Sequence, residues 1–201
     1  MNAAYRFRAG VMAGLCTLAV GCVAPGTGDA AQALAAPVPT AAHTGRAERL
    51  ADALLMADRA ERARDATALA LAAQRLEQLG PKPQTEQDQA AMRRWMARLP
   101  TDAGPMRGRA LGPAYRSAAL NPGATAQLNQ TFLGGRSAQI VLKVSRGPAP
   151  QLVVRDQSDR QVCKTSDDPI TCLWVPLYTQ RHSIEIVNTG PAMSEFYIVF
   201  D

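Results

Sequence analysis

Apolar positions recur with two different periods along this chain, and the change of period divides it. Between residues 46 and 99 they fall at helical spacing. Leu50, Leu54 and Ala57 share one face, and Leu69, Ala72, Ala73, Leu76 and Leu79 share another. Asp58, Glu61 and Asp65 continue the first face, so a single straight helix would turn charge toward its core. Two helices broken near Arg64 and Asp65, with Asp65 as N-cap, account for the pattern; one long helix with an exposed middle is the alternative. Gly80-Pro81-Lys82-Pro83 ends the second unit. Thr85 and Asp88 then form a capping-box pattern ahead of a third helix, with Ala91, Met92, Trp95, Met96 and Leu99 on one face and Pro100 closing it.

Residues 100–122 are rich in Gly and Pro and read as a linker or an extended lead-in to the β region. From residue 123 the period is two. A strand over 124–133 stops at Gly134-Gly135. Ala138, Ile140, Leu142 and Val144 alternate with polar residues, and Gly147-Pro148 turns the chain. Leu152 and Val154 begin a third strand, ended by Asp156-Gln157-Ser158-Asp159. Residues 160–164, 170–176, 182–188 and 195–200 complete the set, the last with Phe196, Ile198 and Phe200 on one face. Seven short strands at close spacing predict an antiparallel β-sandwich over 123–201.

The N-terminus has another character. Met1 to Arg8 carries two arginines, and about 13 small or apolar residues follow, a length that fits a secretory signal and is too short to span a bilayer. The segment closes on Leu18-Ala19-Val20-Gly21-Cys22, which resembles the lipobox of bacterial lipoproteins, with Ala19 at the place where that family carries leucine. The resemblance implies a signal over 1–22 and an acylated Cys22 as mature N-terminus; an ordinary cleaved signal with Cys22 incidental is the alternative. Val23, rather than aspartate, follows the cysteine, which by the same resemblance favours the outer membrane. Residues 23–45 are dominated by Ala, Pro, Gly and Thr, offer almost no large apolar side chain, and are expected to be a disordered tether. His43 stands alone in it.

Within the β region, Phe132 to Ala138, Leu152 to Asp156, Val162-Cys163, Cys172-Leu173-Trp174-Val175-Pro176, Ile186-Val187-Asn188 and Tyr197 together resemble bacterial pre-peptidase C-terminal-type domains. That implies a small jelly-roll-like sandwich of accessory type. Some relatives carry an acidic strand where this chain has Gln151-Leu152-Val153-Val154, which lowers the expectation of calcium.

Cys163 and Cys172 are the only cysteines beyond the signal region, and in an exported chain such a pair reads as a disulfide between successive strands. Asp156, Asp159, Asp167 and Asp168 would make a calcium site only if they met at one end of the sandwich; aspartate also favours turns for backbone reasons. The net charge of +5 falls by two, to +3, once Arg6 and Arg8 are set aside, an excess too small to point to nucleic acid. Arg93, Arg94, Arg98, Arg107, Arg109 and Arg116 form a basic stretch opposed only by Asp102, which reads as a solvated face or as a contact for anionic lipid or cell-wall polymer.

The chain carries no GxSxG, HExxH or P-loop pattern, and no cofactor is implied. The expected function is that of a non-enzymatic cell-envelope lipoprotein. It would be held to the membrane through Cys22, facing the periplasm or the surface, with a sandwich that engages an envelope protein or cell-wall polymer. The alternatives are a secreted or periplasmic chain, a calcium-dependent binding protein, or an envelope hydrolase, for which acids such as Glu185 and Glu195 would have to converge.

Overall fold

The computed structural model describes residues 45–99 and 112–201. The signal with Cys22, nearly all of the tether, His43, Arg107 and Arg109 lie outside the described residues.

Three helices come first: α1 (Arg46–Ala63), α2 (Ala66–Leu79) and α3 (Glu86–Met96). The break between the first two falls where charge interrupts the apolar face. Arg64 turns left-handed at φ 56°, and Asp65 caps α2 by accepting the Ala68 N–H at 2.9 Å. Gly80, at φ 61°, closes α2. At α3 the Thr85 hydroxyl oxygen accepts the Asp88 N–H at 3.0 Å and donates its own proton to the Asp88 carboxylate at 2.6 Å.

The strands are β1 (Lys82–Pro83), β2 (Ala114–Leu120), β3 (Thr125–Phe132), β4 (Ala138–Arg146), β5 (Gln151–Arg155), β6 (Gln161–Thr165), β7 (Ile170–Trp174), β8 (Gln180–Val187) and β9 (Ser194–Phe200). They form two sheets in the orders β1-β2-β9-β4-β7 and β3-β8-β5-β6, antiparallel apart from the short β1–β2 pair. Each strand from β2 to β5 pairs with its counterpart counted back from β9: β2 with β9, β3 with β8, β4 with β7, β5 with β6. The linker expected over 100–122 is corrected here, because residues 114–120 are a full strand along β9.

The helices are not a separate element. α1 lies on the outer face of the five-stranded sheet, so the molecule has three layers and two cores. Between the sheets lie Ile140, Leu142, Leu152, Val154, Ile184, Ile186, Phe196, Ile198 and Phe200. Between sheet and helices lie Tyr115, Val141, Tyr197 and Val199 against Leu50, Leu54, Leu76 and Trp95. β9 is therefore buried on both faces. Alanine supplies much of the α1 contact surface (Ala47, Ala51 and Ala57 are fully buried), which lets the helix approach the sheet closely.

Polar contacts fix the register of this packing. Arg62 reaches Glu195 at 2.9 Å, Arg46 reaches Asp201 at 2.6 Å, and Lys143 pairs with Asp52. Pairs this exposed contribute about 0–1 kcal/mol each, so they orient α1 while apolar burial holds it. The buried Asp88 ties α3 to β2 by accepting from the backbone N–H and the hydroxyl of Ser117, at 3.1 and 2.5 Å. Glu61 accepts from Arg94 at 3.0 Å and from the Trp95 indole N–H at 2.9 Å; the Arg94 contact foremost holds its carboxyl below the ordinary glutamate range. Of the acids that interrupt the α1 face, Glu61 is thus partnered at the seam and Asp58 pairs with Arg62, while Asp65 stays exposed as the α2 cap.

Tyr115 and Tyr197 sit in that seam with ring centroids 6.4 Å apart. Burial raises both phenol pKa values, and nearby Asp88 adds to it, as does Asp58 for Tyr197. Because the folded-state values lie above the unfolded ones, stability is intact up to about pH 10 and falls above it, as the unfolded phenols ionise while the folded ones do not. The expected slope is about 1.4 kcal/mol per pH unit for each tyrosine. Denaturant midpoints measured from pH 8 to 11 check this, and Tyr197→Phe should flatten the alkaline limb.

Candidate interaction surface

The ends of the sandwich differ. At one, the buried Asn188 satisfies the turns: its amide donates to the carbonyls of Leu120 and Ala192 at 2.9 and 2.8 Å, and its oxygen accepts the Gly190 N–H. At the other, here called the loop end, the segments 133–137 and 175–179 cross. Gly135 N–H donates to the Pro176 carbonyl at 2.7 Å, and Gly134 N–H to the Thr179 hydroxyl at 3.0 Å. A side chain on Gly134 would stand 2.8 Å from the Tyr178 backbone, so glycine is required for the crossing.

This crossing holds apolar side chains outward. Seven large hydrophobic residues are exposed among the described residues, and five of them are Leu133, Leu173, Val175, Leu177 and Tyr178. Leu177 and Tyr178 are 76% and 75% exposed. Scattered apolar exposure is ordinary, whereas a cluster signals an interaction surface. Beneath the loops Phe132, Trp174 and His182 form a compact aromatic group, with centroids 4.8 to 5.4 Å apart. The buried Trp174 Nε1 and His182 Nε2 have no hydrogen-bond partner among the described residues. His182 is thus core rather than a solvent-facing base.

Next to the loops a half-open pocket of about 370 Å³ enters between the sheets. Phe132, Phe200, Ala114 and Gln130 line it, and Leu133, Arg136 and the Arg46–Asp201 pair stand at its rim. Arg136 makes no ion pair with a described residue.

The expected site residues fare unevenly. Cys163 and Cys172 form a disulfide, with Cα atoms 6.0 Å apart. It does more than close a hairpin. β6 is the edge of one sheet and β7 the edge of the other, so the bond joins the two sheets.

The four aspartates do not meet. Asp156 and Asp159 precede β6 and Asp167 and Asp168 follow it, so five strand residues, about 16 Å, separate the pairs. Among the described residues no group of three or more acids, cysteines or histidines could hold an ion. The calcium expectation on these residues is corrected accordingly. Asp156 is instead a turn staple, accepting the N–H groups of Ser158 and Arg160 and the Arg160 guanidinium at 2.9–3.0 Å. Desolvation pushes its carboxyl up, but these donors prevail and hold it below the ordinary aspartate value. Asp159 pairs with Arg155.

Glu185 and Glu195 do not converge either. Each lies on an outward face, on β8 and β9, which belong to opposite sheets. The fold instead brings Asp58 and Glu195 together at one cleft, with Arg62 2.9 Å from each, and Asp58, Glu61 and Asp88 at another. That guanidinium, with Arg146 3.7 Å from Glu195, offsets the charge of the pair. In the basic stretch Arg94 is taken up by Glu61.

No family model matches the chain, and none of the curated proteins matches it. Solved structures give loose superpositions. PliG of Aeromonas hydrophila, a periplasmic inhibitor of g-type lysozyme, aligns over 44% of this chain and 84% of its own at 7% identity and a TM-score of 0.36. A de novo designed double-stranded β-helix aligns over 43% and 97% at 13% identity and a TM-score of 0.30. CapF of Staphylococcus aureus, a capsular polysaccharide assembling protein, aligns over 67% and 39% at 12% identity and a TM-score of 0.30. None of these superpositions is close enough to carry a property across to this chain.

Proposed function

We propose that this chain is a non-enzymatic accessory lipoprotein of the cell envelope. In this reading Cys22 is acylated, residues 23–45 are the tether, and the unit of helices and sandwich presents its loop end for recognition. The observation that carries it is the exposure of Leu133, Val175, Leu177 and Tyr178 on two interlocked loops, with Leu173 on the adjoining strand β7. A disulfide between sheets suits an oxidising compartment. Among the described residues the acids lining the clefts of the helix–sheet seam are engaged in structural contacts, Asp58 and Glu195 with Arg62, Glu61 with Arg94 and the Trp95 indole, and Asp88 with Thr85 and Ser117, which favours recognition over acid–base catalysis. The nested pairing of β2 with β9 through β5 with β6 supports a jelly-roll reading of the sandwich, in keeping with the pre-peptidase C-terminal resemblance.

Intact-mass spectrometry of the membrane fraction, with and without Cys22→Ser, tests the proposal. The parent chain should carry a diacylglyceryl-sized increment, and the variant should lose it and move to the soluble fraction. An unmodified, freely soluble mature parent chain would sink the anchor.

A further inference from the structure

We propose that the partner of the loop end is a lipid bilayer, so that the chain touches the membrane twice, through Cys22 and through the tips of its loops. The inference rests on the proposed recognition role of the loop end; the double contact also needs acylation of Cys22, which the vesicle test below does not.

Three observations favour lipid over another occupant. The first is where the preceding chain enters. Gly45 is the first described residue and Arg46 lines the pocket that Leu133 also lines, so the segment bearing Cys22 leaves the domain beside the exposed loops. A chain anchored through that segment can bring this end to the bilayer. The second is composition. Leu133, Val175 and Leu177 are aliphatic, and Tyr178 pairs an apolar ring with a polar hydroxyl, the combination suited to the headgroup boundary. The third is charge. Of the acids at this end, Asp201 pairs with Arg46, Asp156 with Arg160 and Asp159 with Arg155, which leaves Glu48 in the first turn of α1. Arg136 and Arg181 are exposed beside the loops and make no ion pair with a described residue, so a basic surplus flanks the apolar tip. Anionic headgroups are its complement.

Acylation must be removed from the test, because a lipid chain would mask the loops. The mature chain carrying Cys22→Ser is therefore sedimented with vesicles of phosphatidylethanolamine and phosphatidylglycerol. It should bind, and salt should weaken binding. Adding Leu177→Asp and Tyr178→Asp should lower the partition coefficient about tenfold or more, and Arg136→Glu about threefold. The substituted positions are exposed, so an unchanged melting temperature serves as the folding control.

No vesicle binding, or equal binding by the double variant, overturns the inference. So does a dimer in lipid-free buffer that the double variant abolishes, which assigns the face to a second copy. Loop-dependent crosslinks to envelope proteins without vesicle binding assign it to a protein partner. These outcomes are separable from failure of the lipoprotein reading, which the mass of the parent chain decides.

Discussion

Trp95→Ala is expected to destabilise the sandwich as well as the helices, by about 3–5 kcal/mol. Trp95 is 1% exposed, fills the seam against the sheet, and donates its indole N–H to Glu61 at 2.9 Å. Truncation leaves a large cavity and removes one donor from Glu61. At about 2–4 °C per kcal/mol for a chain of this size, the melting temperature should fall by about 6–20 °C. The variant retains Trp174 as its single tryptophan, so fluorescence reports the sandwich while circular dichroism at the helix band reports the other layer. Both transitions should move together. A helical signal that melts early over an unshifted Trp174 signal would mean that the layers are independent.

Replacing both Cys163 and Cys172 by alanine should cost about 2.5–3 kcal/mol from loop closure alone, with a fall of about 6–12 °C in melting temperature. The loop is short, at a sequence separation of 9, but the bond joins edge strands of different sheets. Its loss should loosen the β6–β7 edge first, which amide hydrogen exchange on Val162 and Thr171 would register. Reduction of the parent chain should reproduce the variant's melting temperature. An unchanged value in both would show that the apolar core alone holds the sheets together.

Much of this architecture was legible because local chemistry and global packing agree. The helix break at Asp65, the cap at Thr85, the Gly80 stop and strands β3 to β9 follow from spacing and punctuation. β2 escaped because its inward positions are Ala114, Arg116, Ala118 and Leu120, three of which carry little or no apolar side chain, after a Gly/Pro-rich lead-in. Its pairing with β9 is a long-range contact that periodicity does not encode. The docking of the helices on the sheet did leave a trace: β9 reads apolar at every position from Phe196 to Phe200, and a strand buried on both faces needs a layer on each side. The loop end was partly visible as Leu177-Tyr178, but which apolar loop residues stay exposed depends on how two distant turns cross at Gly134 and Gly135. The scattering of the four aspartates follows from β6 running between their turns, a matter of topology that no spacing rule supplies.

The central claim is that the loop end is the working surface. Photo-crosslinking from position 177 in envelope membranes of cells making the full chain tests it most directly, with position 71, an exposed leucine on α2 away from the loop end, as the control. The account predicts strong adducts, to lipid foremost, from 177 and few from 71. Equal labelling from both positions, or none from 177, would contradict it.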